Sequence, residues 1–499
     1  MSGASLLVVG TSSGAGKSTV VTGLCRWLHR RGVRVAPFKA QNMSNNSFVT
    51  AGGGEIGRAQ AAQAQAAGVA PEVIMNPVLL KPGSDARSHL IVLGQPAGDL
   101  DAATGWSRKH ELLDTVLEAH RELLRRFDVV FCEGAGSPAE INLRSTDIVN
   151  MGFARAAGLP AVLVGDIDRG GVFASFVGTL GLLEPADQDL VRGFIVNRFR
   201  GESALLRPGL DQLRGITGRE TLGVLPYQVG LELDAEDALN WSAWTGGEPE
   251  LGTGSLTIGV ICLPRASNLT DVEPLACEPG VTVYPLLRPD QMAGCDLVIV
   301  PGTRATVHDL QWLRARGFDS ALARRAAAGR SILGICGGFQ MLGTAIDDEV
   351  ESGAGRVDGL GLLPVRTTFA PGKTVRQRQV ALGDGSVVTG YEIHHGQVYR
   401  SEGQPLFAEE GCAAGTVAGS LWHGLFENDG WRRRYLVELA ARCGKAFVPD
   451  NDAGFAARRE ARFDLLADLI DEHLDTSALE AVWSTPRLPR LPRLAIGLT

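Results

Sequence analysis

Several features are missing from this 499-residue chain, and each absence narrows what it can be. No apolar run approaches the roughly 18 residues that a membrane-crossing helix needs, so no membrane role is expected. Positive charge is not in excess. There are 48 Lys and Arg against 56 Asp and Glu, a net charge of −8, which argues against a nucleic-acid partner. The eight cysteines include no C-x-x-C pair, so neither a zinc site nor a disulfide framework is indicated, and a reduced, cytoplasmic setting is expected. The first residues pass almost at once into an apolar strand, so no signal peptide is expected.

What is present is ordinary for a globular protein, with 44% hydrophobic and 21% charged residues. The length predicts two to four domains, each able to bury a core. The stretch SLLVVGTSSGAGKSTVVTGL, residues 5–24, organises the first half. An apolar strand runs into small residues, and Lys17 and Ser18 open an amphipathic helix, the layout of a phosphate-binding P-loop. Small residues let successive backbone N–H groups face one anion, and the helix N-terminus adds partial positive charge. Gly10, Thr11, Gly14, Ala15, Gly16, Lys17, Ser18 and Thr19 are therefore the expected ATP-binding residues, with Ser18 as a Mg²⁺ ligand. The strict pattern wants glycine where Thr11 stands, and Gly10 lies one position earlier.

Other candidates fall at the ends of expected strands, where open α/β sheets bind ligands. A strand over 33–38 leads into Lys39 and a polar loop that offers Gln41, Asn42 and Asn45 to a substrate. An Ala-rich helix is expected over 55–67, and Glu55 is either its first-turn charge or a second Mg²⁺ ligand. Lys81 stands beside a further polar loop. The strand 129–132 ends in Glu133-Gly-Ala-Gly, and an acid there is where P-loop enzymes hold Mg²⁺ or its water. Asn142, Asp166 and Asp168 complete the substrate candidates, and Asn197 ends a later strand. Strands alternating with helices predict a doubly wound parallel sheet over 1–230. An acidic, Gly-rich stretch over 231–255 reads as a linker.

A second series of strands starts at Leu256. The run Gly334-Ile-Cys336-Gly337-Gly338 has the layout of a nucleophile elbow, in which flanking glycines permit a sharp strand-to-helix turn. The Gly337 N–H, with Gly302 after the preceding strand, is expected to line an oxyanion hole. A cysteine nucleophile needs a base. His394, His395 and His423 are downstream, and His423, on a turn before Gly424, is the preferred candidate. No catalytic carboxylate is evident near His423 in the sequence, where Leu425 stands two residues on and Glu427 four. This second domain is expected over 256–475, closed by a helix at 455–473. A flexible Pro- and Arg-rich tail is expected over 476–499.

With these residues in hand, the chain resembles the cobyric acid synthases over about residues 4–475. The stretches PFKAQNMSNN, EIGRAQ and DIDRGGVFAS carry the specific likeness. The resemblance implies two α/β domains: a dethiobiotin synthetase-like P-loop domain, then a flavodoxin-like class I glutamine amidotransferase domain. It implies that Asn197 contacts adenine, that Cys336 is the nucleophile and that His423 is its base. It also accounts for the Leu at 425, since the cobyrinate-amidating branch lacks the usual acid there. The implied activity is ATP- and glutamine-dependent amidation of the b, d, e and g carboxylates of adenosylcobyrinic acid a,c-diamide. Alternatives are a cobyrinic acid a,c-diamide synthase, or a partitioning-type ATPase with a regulatory amidotransferase-like domain.

Overall fold

The structure, a computed structural model, describes residues 3–82, 87–101, 108–228, 255–450, 454–485 and 490–495. The expected linker over 231–255 lies outside these apart from Ser255. The chain divides into two compact units. The first comprises residues 1–44, 55–234 and 459–499, and the second comprises 45–54 and 235–458.

In the first unit a six-stranded parallel sheet runs, edge to edge, Glu220–Pro226, Val191–Phe199, Ala161–Asp166, Ala4–Gly10, Val129–Glu133, Val35–Phe38. Ala4–Gly10 is central because Leu6, Leu7, Val8 and Val9 are fully buried, and a strand covered on both faces must be apolar throughout. The strand order reverses at this strand, so its carboxyl end opens a crevice of the kind in which such sheets bind ligands. The helix Lys17–Arg30 covers one face with Val20, Val21, Leu24 and Leu28. A smaller sheet orders Gln41–Met43, Val78–Pro82, Arg87–Val92 and Gln95–Asp101.

Two local expectations are corrected. Glu55 is not in the first turn of a helix, because Glu55–Gly57 is a short strand and the helix is Arg58–Ala66. The segment expected as a tail from 476 opens with the helix Thr476–Ser484. The Asp475 side chain accepts from the Ala478 N–H at its start, and Leu479 and Val482 bury against the first unit's core. The preceding helix, Phe455–His473, adds Phe463, Leu466 and Ile470 to the same core. Counting residues 459–499 with the first unit follows from that packing.

In the second unit the main sheet runs Val281–Leu286, Leu256–Ile261, Leu297–Val300, Ser331–Ile335, Val417–Ser420, Cys412–Ala414. All neighbours are parallel except the last pair. A second sheet contains the long antiparallel pair Val365–Ala381 and Val387–Arg400. The carboxyl ends of Leu297–Val300, Ser331–Ile335 and Val417–Ser420 adjoin one another, and each reaches a candidate site residue within three positions: Gly302, Cys336 and His423.

Candidate active sites

The P-loop in the first unit has the backbone its glycines imply. Gly14 and Gly16 hold φ of 72° and 101°, values that favour glycine. A Cβ at Gly16 would lie 1.9 Å from Asn197 Nδ2, so the loop also needs a hydrogen there for lack of space. Asn197 Nδ2 donates to the Ala15 carbonyl (3.0 Å), Thr11 N–H donates to the Val164 carbonyl (2.9 Å), and Arg198 donates to the Gly14 carbonyl (3.2 Å). These bonds fasten the loop to the strands Ala161–Asp166 and Val191–Phe199. Lys17 is 6% exposed, and its ammonium donates to the carbonyls of Ser12 (3.1 Å) and Gly136 (3.0 Å). A cation is thus held above a concave backbone.

Glu133 stands beside it, 1% exposed. Its carboxylate accepts from Ser18 Oγ (2.9 Å), Lys39 Nζ (2.8 Å) and Gln63 Nε2. Burial alone would raise the pKa of this acid. The Lys39 ammonium, with hydrogen bonds from Lys39 and Gln63 and the charge of Lys17, holds it below the usual carboxylate range. Ser18 and Glu133 are adjacent hard oxygen donors of the kind Mg²⁺ takes, and the remaining positions in such sites usually fall to phosphate and water. The donor set therefore fits the ion.

The other expected ligands are spread more widely. Glu55 forms a buried ion pair with Lys81. Asn42 donates to Gln60 (2.9 Å), and Gln41 is half-buried next to it. Asn142 is exposed in the turn 141–146. Asp166 accepts from Arg198 (2.9 Å), and Asp168 pairs with Arg200 (2.6 Å). Asn45 belongs to the second unit.

In the second unit Cys336 has φ 49° and ψ −110°, a strained conformation for a residue with a Cβ and the mark of a nucleophile elbow. The flanking glycines are steric requirements. A Cβ at Gly334 would lie 2.6 Å from Phe339 Cα, and one at Gly338 would lie 2.0 Å from the Val300 carbonyl oxygen. Gly338→Ala is accordingly expected to lower stability by about 3 kcal/mol, read as a fall in denaturant midpoint, and to lower glutaminase activity with it. All eight cysteines are free. Burial raises the thiol pKa of Cys25, and that of Cys132 and Cys262 to about 12. These three suit packing better than nucleophilic attack.

His423, the candidate base, is buried against a carboxylate that sequence spacing does not reveal. His423 Nδ1 is 2.7 Å from Asp271 Oδ2, and the Gly424 N–H donates to Asp271 Oδ1 (2.8 Å). His423 is 1% exposed and Asp271 4%. Burial opposes charging the imidazole, but the Asp271 charge, reinforced by Cys336 and by hydrogen bonds to both, lifts its pKa to about 10. His423 exchanges both backbone hydrogen bonds with Tyr391, whose ring stacks on the imidazole at 5.4 Å and 27°. Cys336 Sγ lies 3.8 Å from the Ile393 carbonyl. A Cβ at Gly302 would sit 3.1 Å from His423 Cε1, and one at Gly337 would sit 2.7 Å from Thr303 Cγ2, so the two candidate oxyanion glycines flank the nucleophile and base. His394 is buried beside Glu392, and His395 Nδ1 lies near the Ala370 carbonyl.

Asp271 lies 152 residues before its histidine, on the turn Asn268–Asp271 after the strand Leu256–Ile261. The one available signal was an acid shortly past the carboxyl end of a buried strand, and many acids meet that description.

Both halves of the chain match known protein families. Residues 6–240 match the CobQ/CobB/MinD/ParA nucleotide binding domain, and residues 257–431 match the CobB/CobQ-like glutamine amidotransferase domain. A protein named cobyric acid synthase from Streptomyces coelicolor is 58% identical over 481 residues, covering 95% of both chains. One of the same name from Streptomyces avermitilis is 57% identical over 482 residues, again 95% of both. A third, from Mycolicibacterium paratuberculosis, is 55% identical over 505 residues and covers 100% of both.

Proposed function

The chain belongs to the cobyric acid synthase family, glutamine-hydrolysing ligases of cobalamin biosynthesis, and from that premise we propose its full reaction. It amidates the b, d, e and g carboxylates of adenosylcobyrinic acid a,c-diamide, using ATP and glutamine, in the cytoplasm. A carboxylate and ammonia do not condense in water at useful rates, because oxide is a poor leaving group. Transfer of the ATP γ-phosphoryl group to the carboxylate oxygen gives an acyl phosphate and ADP. Ammonia then attacks the carbonyl carbon, inorganic phosphate departs, and the amide remains.

Lys17 stabilises the charge on the transferring phosphoryl group. Ser18 and Glu133 would hold Mg²⁺, which when bound neutralises phosphate charge. Lys39, Gln41, Asn42, Asn45, Lys81, Asn142, Asp166 and Asp168 remain the candidates for corrinoid recognition, and Asn197 for adenine. In the second unit Cys336 Sγ attacks the glutamine amide carbon. The oxyanion faces Gly302 and Gly337, and His423 gives its proton to the departing nitrogen. Ammonia leaves, a thioester remains, and water deprotonated by His423 releases glutamate. The ammonia passes to the acyl phosphate without entering bulk solvent.

The observation that carries this reading is the Asp271–His423–Cys336 constellation, because a regulatory domain without glutaminase chemistry has no use for a buried acid fixing a histidine beside a strained cysteine. The test is incubation with adenosylcobyrinic acid a,c-diamide, ATP, Mg²⁺ and glutamine, followed by mass counting of added amides. Four additions are expected. Amidation only of cobyrinic acid at its a and c carboxylates would assign the chain to the other synthase. Lys17→Ala is expected to reduce amidation by on the order of 10²–10³-fold with either glutamine or ammonia as nitrogen source. Retained activity would remove ATP from the chemistry.

A further inference from the structure

The second unit contains ten residues, 45–54, that the sequence encodes in the middle of the first. Their placement has a chemical meaning. The Asn268 N–H donates to Asn46 Oδ1 (2.7 Å), and the Ser47 N–H donates back to Asn268 Oδ1 (2.8 Å). This reciprocal pair is buried, with Asn46 1%, Ser47 0% and Asn268 4% exposed. Asn268 holds φ 53°, a left-handed value that asparagine tolerates better than most residues. Its carbonyl accepts the Asp271 N–H (2.9 Å), which closes the turn presenting Asp271 to His423. Ser267, one residue earlier, donates its N–H to the carbonyl of Gly302 (2.8 Å).

The same segment grips the other support of the histidine. Tyr391 Oη donates to the Ser47 carbonyl (3.2 Å), and the Phe48 ring packs on Tyr391 at 5.5 Å. Val49 buries with Tyr391 and Ile393, and its carbonyl accepts from Gln377 Nε2 (2.9 Å). Residues 46–49 therefore touch both the turn that carries Asp271 and the tyrosine stacked on His423.

We propose that this segment is a positioning element of the glutaminase, in which Asn46 fixes the Asn268–Asp271 turn and so sets the pose of His423. The proposal rests on the glutaminase reading above and adds to it that the amidotransferase site is completed by chain from the N-terminal half. Asn46 is a positioning residue. It acts through Asn268 and Asp271, and misplacing a base by about 1 Å costs on the order of 10²-fold in rate.

The experiment measures glutamine hydrolysis by the full-length protein. Asn46→Ala is expected to lower kcat by about 10- to 100-fold while KM for glutamine changes less than about threefold. Asn46→Asp retains the acceptor oxygen and is expected to restore most of the lost rate. Asn268→Gly keeps the left-handed backbone but removes the oxygen that holds Ser47, so it is expected to lose activity as Asn46→Ala does. All three are expected to keep ammonia-supported amidation. Wild-type kcat in Asn46→Ala overturns the proposal, and so does a loss that Asn46→Asp fails to rescue or that extends to ammonia-supported amidation. Absence of glutaminase activity in the wild-type protein would instead overturn the functional reading on which the proposal stands.

Discussion

Cys336→Ala is expected to eliminate glutamine-dependent amidation, a loss on the order of 10⁴-fold or more, and to leave amidation from free ammonia at alkaline pH intact. The size of the first effect follows from the chemistry. Removing the sulfur removes the thioester, and nothing else at the elbow can form a covalent intermediate. The survival of the second follows from the proposed separation of tasks, which assigns carboxylate activation to Lys17, Ser18 and Glu133, none of which belongs to the unit that carries Cys336. The substitution also removes only one atom from a small buried side chain, so the elbow should keep its shape. Steady-state amide formation with each nitrogen source reads both outcomes, and loss of the ammonia-supported reaction in a folded variant would show that the tasks are not separable.

Asp271→Asn is the second large effect. It should lower glutaminase kcat by roughly 10²- to 10⁴-fold, because the amide holds the imidazole in a different tautomer and no longer neutralises its charge. It should also move the alkaline limb of the pH profile. In the proposed mechanism His423 carries the proton that ammonia takes with it, so activity is expected to fall as pH rises through its pKa. In the native protein Asp271 and Cys336 raise that pKa from 6.5 to about 10 against the opposing effect of burial. Without the Asp271 charge, burial meets less opposition and the pKa falls, so the limb shifts to lower pH. The same linkage acts on stability. The contribution of the raised His423 pKa is fully present below 6.5 and is lost as pH rises through about 10. An unchanged alkaline limb in a folded Asp271→Asn protein would remove Asp271 from the mechanism. Glutamine hydrolysis measured across pH, alongside thermal melting, separates the two effects.

The two motifs legible in the sequence are legible for the same reason. In each, a strand, a tight glycine turn and a helix N-terminus follow one another within about a dozen residues, so the backbone requirement and the reacting side chain are written together. Gly16 beside Lys17, and Gly338 beside Cys336, are examples in which a Cβ would meet Asn197 or the Val300 carbonyl. The apolar strands that place these turns at carboxyl ends are readable too, because a strand buried on both faces is apolar throughout. Glu55 was misread because the Ala-rich composition favoured a helix opening there, whereas the helix starts only at Arg58 and Glu55–Gly57 is a short strand.

By itself, then, the sequence determined two α/β units built on largely parallel sheets, and it singled out as candidates a glycine loop with Glu133 nearby and a cysteine elbow with a histidine. The tertiary structure alone decided what holds that histidine. Asp271 reaches it from a turn 152 residues away, and Asn46 steadies that turn from 222 residues away. Neither distance has a period or spacing that a chain can display. A side chain recruited across a fold is chosen by where strands end in space, and that depends on the packing of the whole unit.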